Sequence, residues 1–136
     1  MSLERSIVPK VNDIVFAQVL RVNRRSANVL ILGNQTGVYP DKFPAILRQR
    51  DVRSFNPDAV DMYKSFRPGD VIVARVLSIG DTRAYYLTTD GDEFGVTFAL
   101  SEAGHVLIPI SWEQMQCSET NKLEERKVAK PVSIST

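Results

Sequence analysis

Arginine is the residue type whose placement in this sequence points to chemistry. Residues 1–50 hold eight Lys and Arg against three Asp and Glu, a local charge of +5, although the whole chain of 136 residues sets 17 bases against 16 acids. Six of those eight are arginines, whose planar guanidinium forks match phosphate oxygens. Arg24 and Arg25 fall in the string NRRS, Arg48 and Arg50 in ILRQRD, and Arg83 in the turn DTR. Such a set suits an anion-binding face; the plainer reading is a solvated rim of charged loops.

Other chemistry is poorly supplied. Asp90, Asp92 and Glu93 form the one dense carboxylate run, but two-metal phosphodiester hydrolysis needs acids converging from separate elements. Consecutive acids beside Gly91 read more simply as a hairpin turn. A single cysteine, Cys117, excludes an intrachain disulfide, and with one histidine, His105, it falls short of four zinc ligands. No nucleophile elbow, phosphate-cradling glycine loop or HExxH pattern occurs, so neither an enzyme nor a cofactor or small-molecule substrate is expected. No run approaches the roughly 20 apolar residues of a membrane span, and MSLERSIVPK lacks a signal peptide's apolar core. A cytosolic or nuclear protein without membrane contact is expected.

The elements that must position the arginines are strands. Val15, Ala17 and Val19 alternate with Phe16, Gln18 and Leu20, which predicts a first strand over Asp13 to Val22. NRRS connects it to a second strand, ANVLILG, ending at Gly33. After a loop NQTGVYPDK, FPAILRQRDVR predicts a third strand. NPDAVDMYKSF predicts a short helix with Asn56 as N-cap and Pro57 in its first position, Val60 and Tyr63 being its apolar residues. DVIVARVLSIG and AYYLTT supply a fourth and a fifth strand. Neighbours on a strand point oppositely, so one of Tyr85 and Tyr86 fills the interior and the other faces out. Phe43 and Phe66 read as core or protein-contact residues, and Asp51 with Arg53 as a turn or ion pair.

A repeat strengthens this plan. Shifting the chain by 57 positions lays NDIVFAQVLRVNRRSANVL on GDVIVARVLSIGDTRAYYL, with Asp13 on Asp70, Ala17 on Ala74 and Val19 on Val76. Two similar hairpins flank the third strand and the helix. Closure into a five-stranded OB-type Greek-key barrel removes the edges that so few strands would expose. The chain is therefore expected to be mainly β, with that barrel over residues 9–90 and one short helix. A small C-terminal β extension follows over 91–130, and loosely ordered tails are expected at 1–8 and 131–136.

The strings YKSFRPGDVIVARVLSIGD and VLIPISWEQMQC carry a specific likeness. The first lies in a region, Asn12 to Thr89, that resembles the RNA-binding OB domain of ribosomal protein S-one. Both together, from about Pro9 to Lys130, resemble the Csl-type cap subunit of the RNA exosome, which trims and degrades RNA from its 3′ end. The resemblance implies a non-catalytic subunit beside the pore of the exosome ring. Its expected partners are single-stranded RNA and other ring and cap subunits, and its expected locations are the nucleus, nucleolus included, and the cytoplasm.

Departures from that family sharpen the expectations. Full-length members carry an additional N-terminal domain that this chain does not show, so ring-docking surfaces from that domain would be missing. Archaeal relatives carry a zinc ribbon with paired cysteines where only Cys117 stands here, so the C-terminal extension should lack zinc. Val106, Ile108, Ile110, Trp112 and Val128 are expected to hold that sheet instead. The purified chain should contain no stoichiometric zinc and melt at one temperature with or without chelator; chelator-induced destabilisation would overturn this.

Aromatics that stack bases in many family members are replaced by Arg25, Ser26, Ala27 and Asn28, and Arg48 stands where His is frequent. The resemblance thus leaves a mainly electrostatic RNA site of Arg24, Arg25, Arg48, Arg50 and Arg83, in OB loops and on the third strand. Two rivals accompany it: a purely structural subunit bridging ring proteins through these arginines, and, more remotely, a metal-dependent ribonuclease on Asp90 and Asp92.

Overall fold

The computed structural model describes residues 8–80 and 84–130. Its strands are β1 Ile14–Val22, β2 Ser26–Asn34, β3 Gly37–Arg48, β4 Val71–Ile79, β5 Tyr85–Thr88, β6 Gly95–Phe98, β7 Leu107–Pro109, β8 Gln114–Cys117 and β9 Leu123–Glu125. One short helix, α1, covers Met62–Ser65. β1 to β5 run in the order β1-β2-β3-β5-β4 and close through β1 against β4, so the expected OB-type barrel is present. β3 and β5 pair in parallel, Ala45 opposite Tyr85 and Leu47 opposite Leu87; every other barrel pair is antiparallel. No helix among the described residues is long and apolar enough to cross a membrane.

The alternation works as its period requires. Val15, Ala17 and Val19 of β1, Ala27, Val29 and Ile31 of β2, and Ile72, Ala74 and Val76 of β4 are all buried. Tyr85 fills the interior, whereas Tyr86 is half-buried on the outside; Phe66 is wholly buried and Phe43 packs on the core.

The repeat is real in three dimensions. Asn12 and Gly69 both have positive φ, 75° and 95°. The Asp after each takes a backbone N–H from three residues back, Lys10 N to Asp13 and Arg67 N to Asp70, both at 2.9 Å. Asn12 N donates to Val76 O and Gly69 N donates to Val19 O, so equivalent residues exchange bonds about a local two-fold between β1 and β4.

Three local expectations are corrected. Most of NQTGVYPDK is strand: Asn34 Oδ1 accepts from Thr36 N (2.9 Å) and Thr36 Oγ1 (2.6 Å), closing a tight turn from which β3 starts at Gly37. β3 ends at Arg48, and Gln49–Asp51, with Arg50, forms a 3-10 turn. The single helix from Asn56 becomes a 3-10 turn at Pro57–Ala59, then α1 capped by Asp61, whose carboxylate accepts from Tyr63 N and Lys64 N. Met62 within α1 and the flanking Val60 and Phe66 are buried, while Tyr63 is 52% exposed.

Past residue 90 the chain divides. β6 joins the barrel sheet beside β4, and β7, β8 and β9 form a separate antiparallel sheet. Of the residues expected to hold that sheet Val128 is buried, but the phase of the strands themselves is the reverse of the one expected. Leu107, Met115 and Cys117 face inward with Val128, whereas Val106, Ile108, Ile110 and Trp112 are about half exposed. A one-residue change of phase exchanges the two faces of a strand, and this run is apolar on both. One core spans the barrel and this sheet. Cys117 lies within it, its thiol donating to Ser101 Oγ at 3.3 Å.

Candidate nucleic-acid interface

Arg24 and Arg25 sit at the tip of the β1–β2 hairpin, closed by Asn23 N donating to Ser26 O at 2.7 Å, and both are exposed. The register of β2 on β3 puts Ser26 opposite Arg48, and Gln49 N donates to Arg25 O at 2.9 Å. Four of the five expected arginines, Arg24, Arg25, Arg48 and Arg50, are thereby gathered at one end of the barrel. Arg83 lies outside the described residues.

The four differ in what they can do. Arg24, Arg25 and Arg50 are exposed and take part in no ion pair among the described residues. Arg48 is already engaged: its Nε donates to Asp51 Oδ2 at 2.7 Å, and its Cζ stands 4.1 Å from the centroid of the Tyr86 ring. It presents a flat guanidinium stacked on an aromatic face, half-neutralised by a carboxylate. Asp51 therefore pairs with Arg48 and not, as expected, with Arg53. Arg53 instead covers the Phe55 ring, 4.6 Å from its centroid, and donates to Phe55 O. Strand alternation put one of Tyr85 and Tyr86 outside; that Tyr86 is the outer one and stacks under Arg48 depends on β3 and β5 lying side by side, with Ile46 opposite Tyr86.

The acidic turn serves the fold. Asp90 Oδ1 accepts from Ser54 N at 2.9 Å, and the Lys127 ammonium donates to Gly91 O and Phe94 O at 2.9 and 2.7 Å. Burial lowers Lys127 to about 8. Asp92 and Glu93 point into solvent.

A closed barrel of order β1-β2-β3-β5-β4, with a helix between β3 and β4 and basic side chains around the β1–β2 loop, is the OB class of binding barrel. The family model described as "Exosome component EXOSC1/CSL4" matches residues 34–79. Exosome complex component CSL4 of Homo sapiens is 44% identical over 128 residues, covering 93% of this chain and 66% of the human protein. The csl4 component of Schizosaccharomyces pombe is 38% identical over 130 residues, covering 95% of this chain and 71% of the relative. A crystal structure whose protein is described as an exosome complex RNA-binding protein superposes with a TM-score of 0.52 at 28% identity, over 76% of this chain and 53% of that one. The chain belongs to the CSL4 family of exosome components, and it spans about two thirds of the length of these curated relatives.

Proposed function

We propose that the chain is a non-catalytic cap subunit of the RNA exosome. Its barrel helps guide single-stranded RNA to the ring for 3′-to-5′ degradation and processing, and the subunit provides a docking surface for cofactors, in the nucleus and the cytoplasm. The observation that carries the reading is the juxtaposition of Arg24 and Arg25 with Arg50 across the Gln49–Arg25 bond, three exposed charges beside the Arg48–Tyr86 stack. These groups fit phosphates flanking a base stacked on the guanidinium plane, a contact without base specificity.

Binding of the chain to single-stranded RNA should be weak and steeply salt-dependent. Each phosphate contact releases counterions and contributes about 0.7 to the slope of log affinity against log salt, so replacing Arg24 and Arg25 together by Ala should flatten that slope by roughly 1.4. Affinity should fall for all sequences alike, and stability should move by less than about 0.5 kcal/mol. Unchanged affinity, slope and crosslinking in the assembled complex would sink the RNA reading. The structural bridging reading would then take its place. It is supported by the exposed apolar row of Val106, Ile108 and Ile110, a surface suited to protein contact.

A further inference from the structure

A groove opens at the β1 side of the same hairpin. It is a shallow, open depression of about 480 Å³ lined by Leu20, Arg21, Val22, Tyr63, Arg67 and Pro68 over the buried Phe66. Its construction begins with a β-bulge. The pairing of β1 with β2 slips between Val19 and Arg21, so that Leu20 and Arg21 are both exposed where alternation would have buried one of them. Val19 N donates to Asp70 O and Gly69 N to Val19 O, which fixes the Arg67–Pro68 turn alongside Leu20 and Arg21. α1 then sets Tyr63 on the rim, and Arg67 Nε donates to the Tyr63 main-chain carbonyl at 3.2 Å, tethering the Arg67 side chain to the end of α1.

The lining has one chemical character. Tyr63 and Leu20 are each 52% exposed, an aromatic ring and an aliphatic side chain left open to solvent. Arg21 and Arg67 are exposed and, among the described residues, in no ion pair, and no carboxylate lines the groove. An exposed ring and two guanidinium groups that form no salt bridge among the described residues, lining one groove, are complementary to a nucleotide with its flanking phosphates. Arg21 stands three residues before Arg24, so a strand leaving the hairpin arginines meets this groove next.

We propose that the groove is a second subsite for single-stranded RNA, in which a base of any identity stacks on Tyr63 against Leu20 while Arg21 and Arg67 hold the adjoining phosphates. The proposal rests on the RNA reading above and extends the RNA path from the outer barrel face around the β1–β2 hairpin to α1.

The test uses the full chain and an oligouridylate of about 12 nucleotides, within the range of OB site sizes, carrying 4-thiouridine for photocrosslinking. Tyr63→Ala should weaken binding roughly tenfold, while Tyr63→Phe, which keeps the ring face, should bind as the unsubstituted chain does. Arg21→Ala with Arg67→Ala should flatten the salt slope by about 1.4. In the unsubstituted chain the crosslink should map to the peptide containing Tyr63, a readout that no folding defect can mimic. If Arg24→Ala with Arg25→Ala weakens binding but the groove variants do not, and no crosslink reaches Tyr63, the groove proposal alone is wrong. If neither set affects binding, both readings fall together. Occupation of the groove by a glutamate-rich peptide that RNA does not displace would also overturn it.

Discussion

Arg126→Met should destabilise the chain by about 3–5 kcal/mol, the loss expected when one partner of a buried ion pair is removed. Arg126 and Asp70 have side chains only 2% exposed, 56 residues apart in sequence, with Nε 2.7 Å from Oδ2. The same guanidinium reaches Glu124 Oε1 at 3.2 Å and Glu125 O at 3.0 Å, tying the C-terminal sheet to the start of β4. Burial pushes the Asp70 carboxyl up, and the hydrogen bond and charge of Arg126 hold it down. Without Arg126 the desolvated carboxylate keeps only the backbone N–H and the more distant charge of Arg67 to stabilise it.

A raised folded-state pKa contributes stability at low pH that is lost as pH rises through that pKa. The variant's deficit should therefore shrink on moving from neutral to mildly acidic solution, as Asp70 takes up its proton. Adding Asp70→Asn should recover part of the loss, because the buried charge is then gone. Urea denaturation of both single variants and the double variant closes the cycle. A cost below about 1 kcal/mol for Arg126→Met would show that the pair does not hold the two sheets together.

Gly95→Ala should cost about 3 kcal/mol or more, the sum of backbone strain and overpacking against a neighbouring main chain. Gly95 has φ 135°, and a Cβ there would collide with Lys127 O and stand 3.0 Å from Ala129 N. Those two atoms belong to the segment that Val96 binds, Val96 N donating to Lys127 O at 2.7 Å and Ala129 N to Val96 O at 2.9 Å. The glycine thus lets residues 127–129 lie on β6 in parallel, as the Val96–Val128 bridge shows. Gly69 supplies the control: its φ is 95°, but nothing lies within 4 Å of its would-be Cβ. Gly69→Ala should cost only the strain, about 1 kcal/mol. Equal losses for the two substitutions in chemical denaturation would mean that close approach of the chains is not what position 95 requires.

These two positions mark where sequence reasoning stopped. The barrel was legible because its strands bury one face each: period-two alternation separated Val15, Ala17 and Val19 of β1 from Phe16, Gln18 and Leu20, and the 57-residue repeat carried that pattern onto β4 and paired Asp13 with Asp70. The shared address of Arg24, Arg25, Arg48 and Arg50 was expected from the OB-type plan, and the pairing of β2 with β3 is what brings them together. Beyond residue 105 the signal failed for a stated reason. Val106, Leu107, Ile108 and Ile110 are apolar in succession, so alternation could not say which set faces inward, and the core chose Leu107.

Partners were decided only by the tertiary structure. Asp13 and Asp70 are equivalent in the repeat and cap equivalent turns, yet only Asp70 is covered by the C-terminal sheet and so requires Arg126. Arg48 resembled its neighbours in sequence, but the packing of β5 on β3 gave it Tyr86 and the adjoining 3-10 turn gave it Asp51, whereas Arg24, Arg25 and Arg50 form no ion pair among the described residues. The bulge at Leu20, which exposes Arg21 beside Tyr63, is likewise a property of strand pairing and not of either strand. Sequence by itself determined which residues alternate, repeat and carry charge. Which charges are neutralised, which apolar face is inward and which loops share a groove depended on contacts between segments tens of residues apart, whose energies no local pattern records.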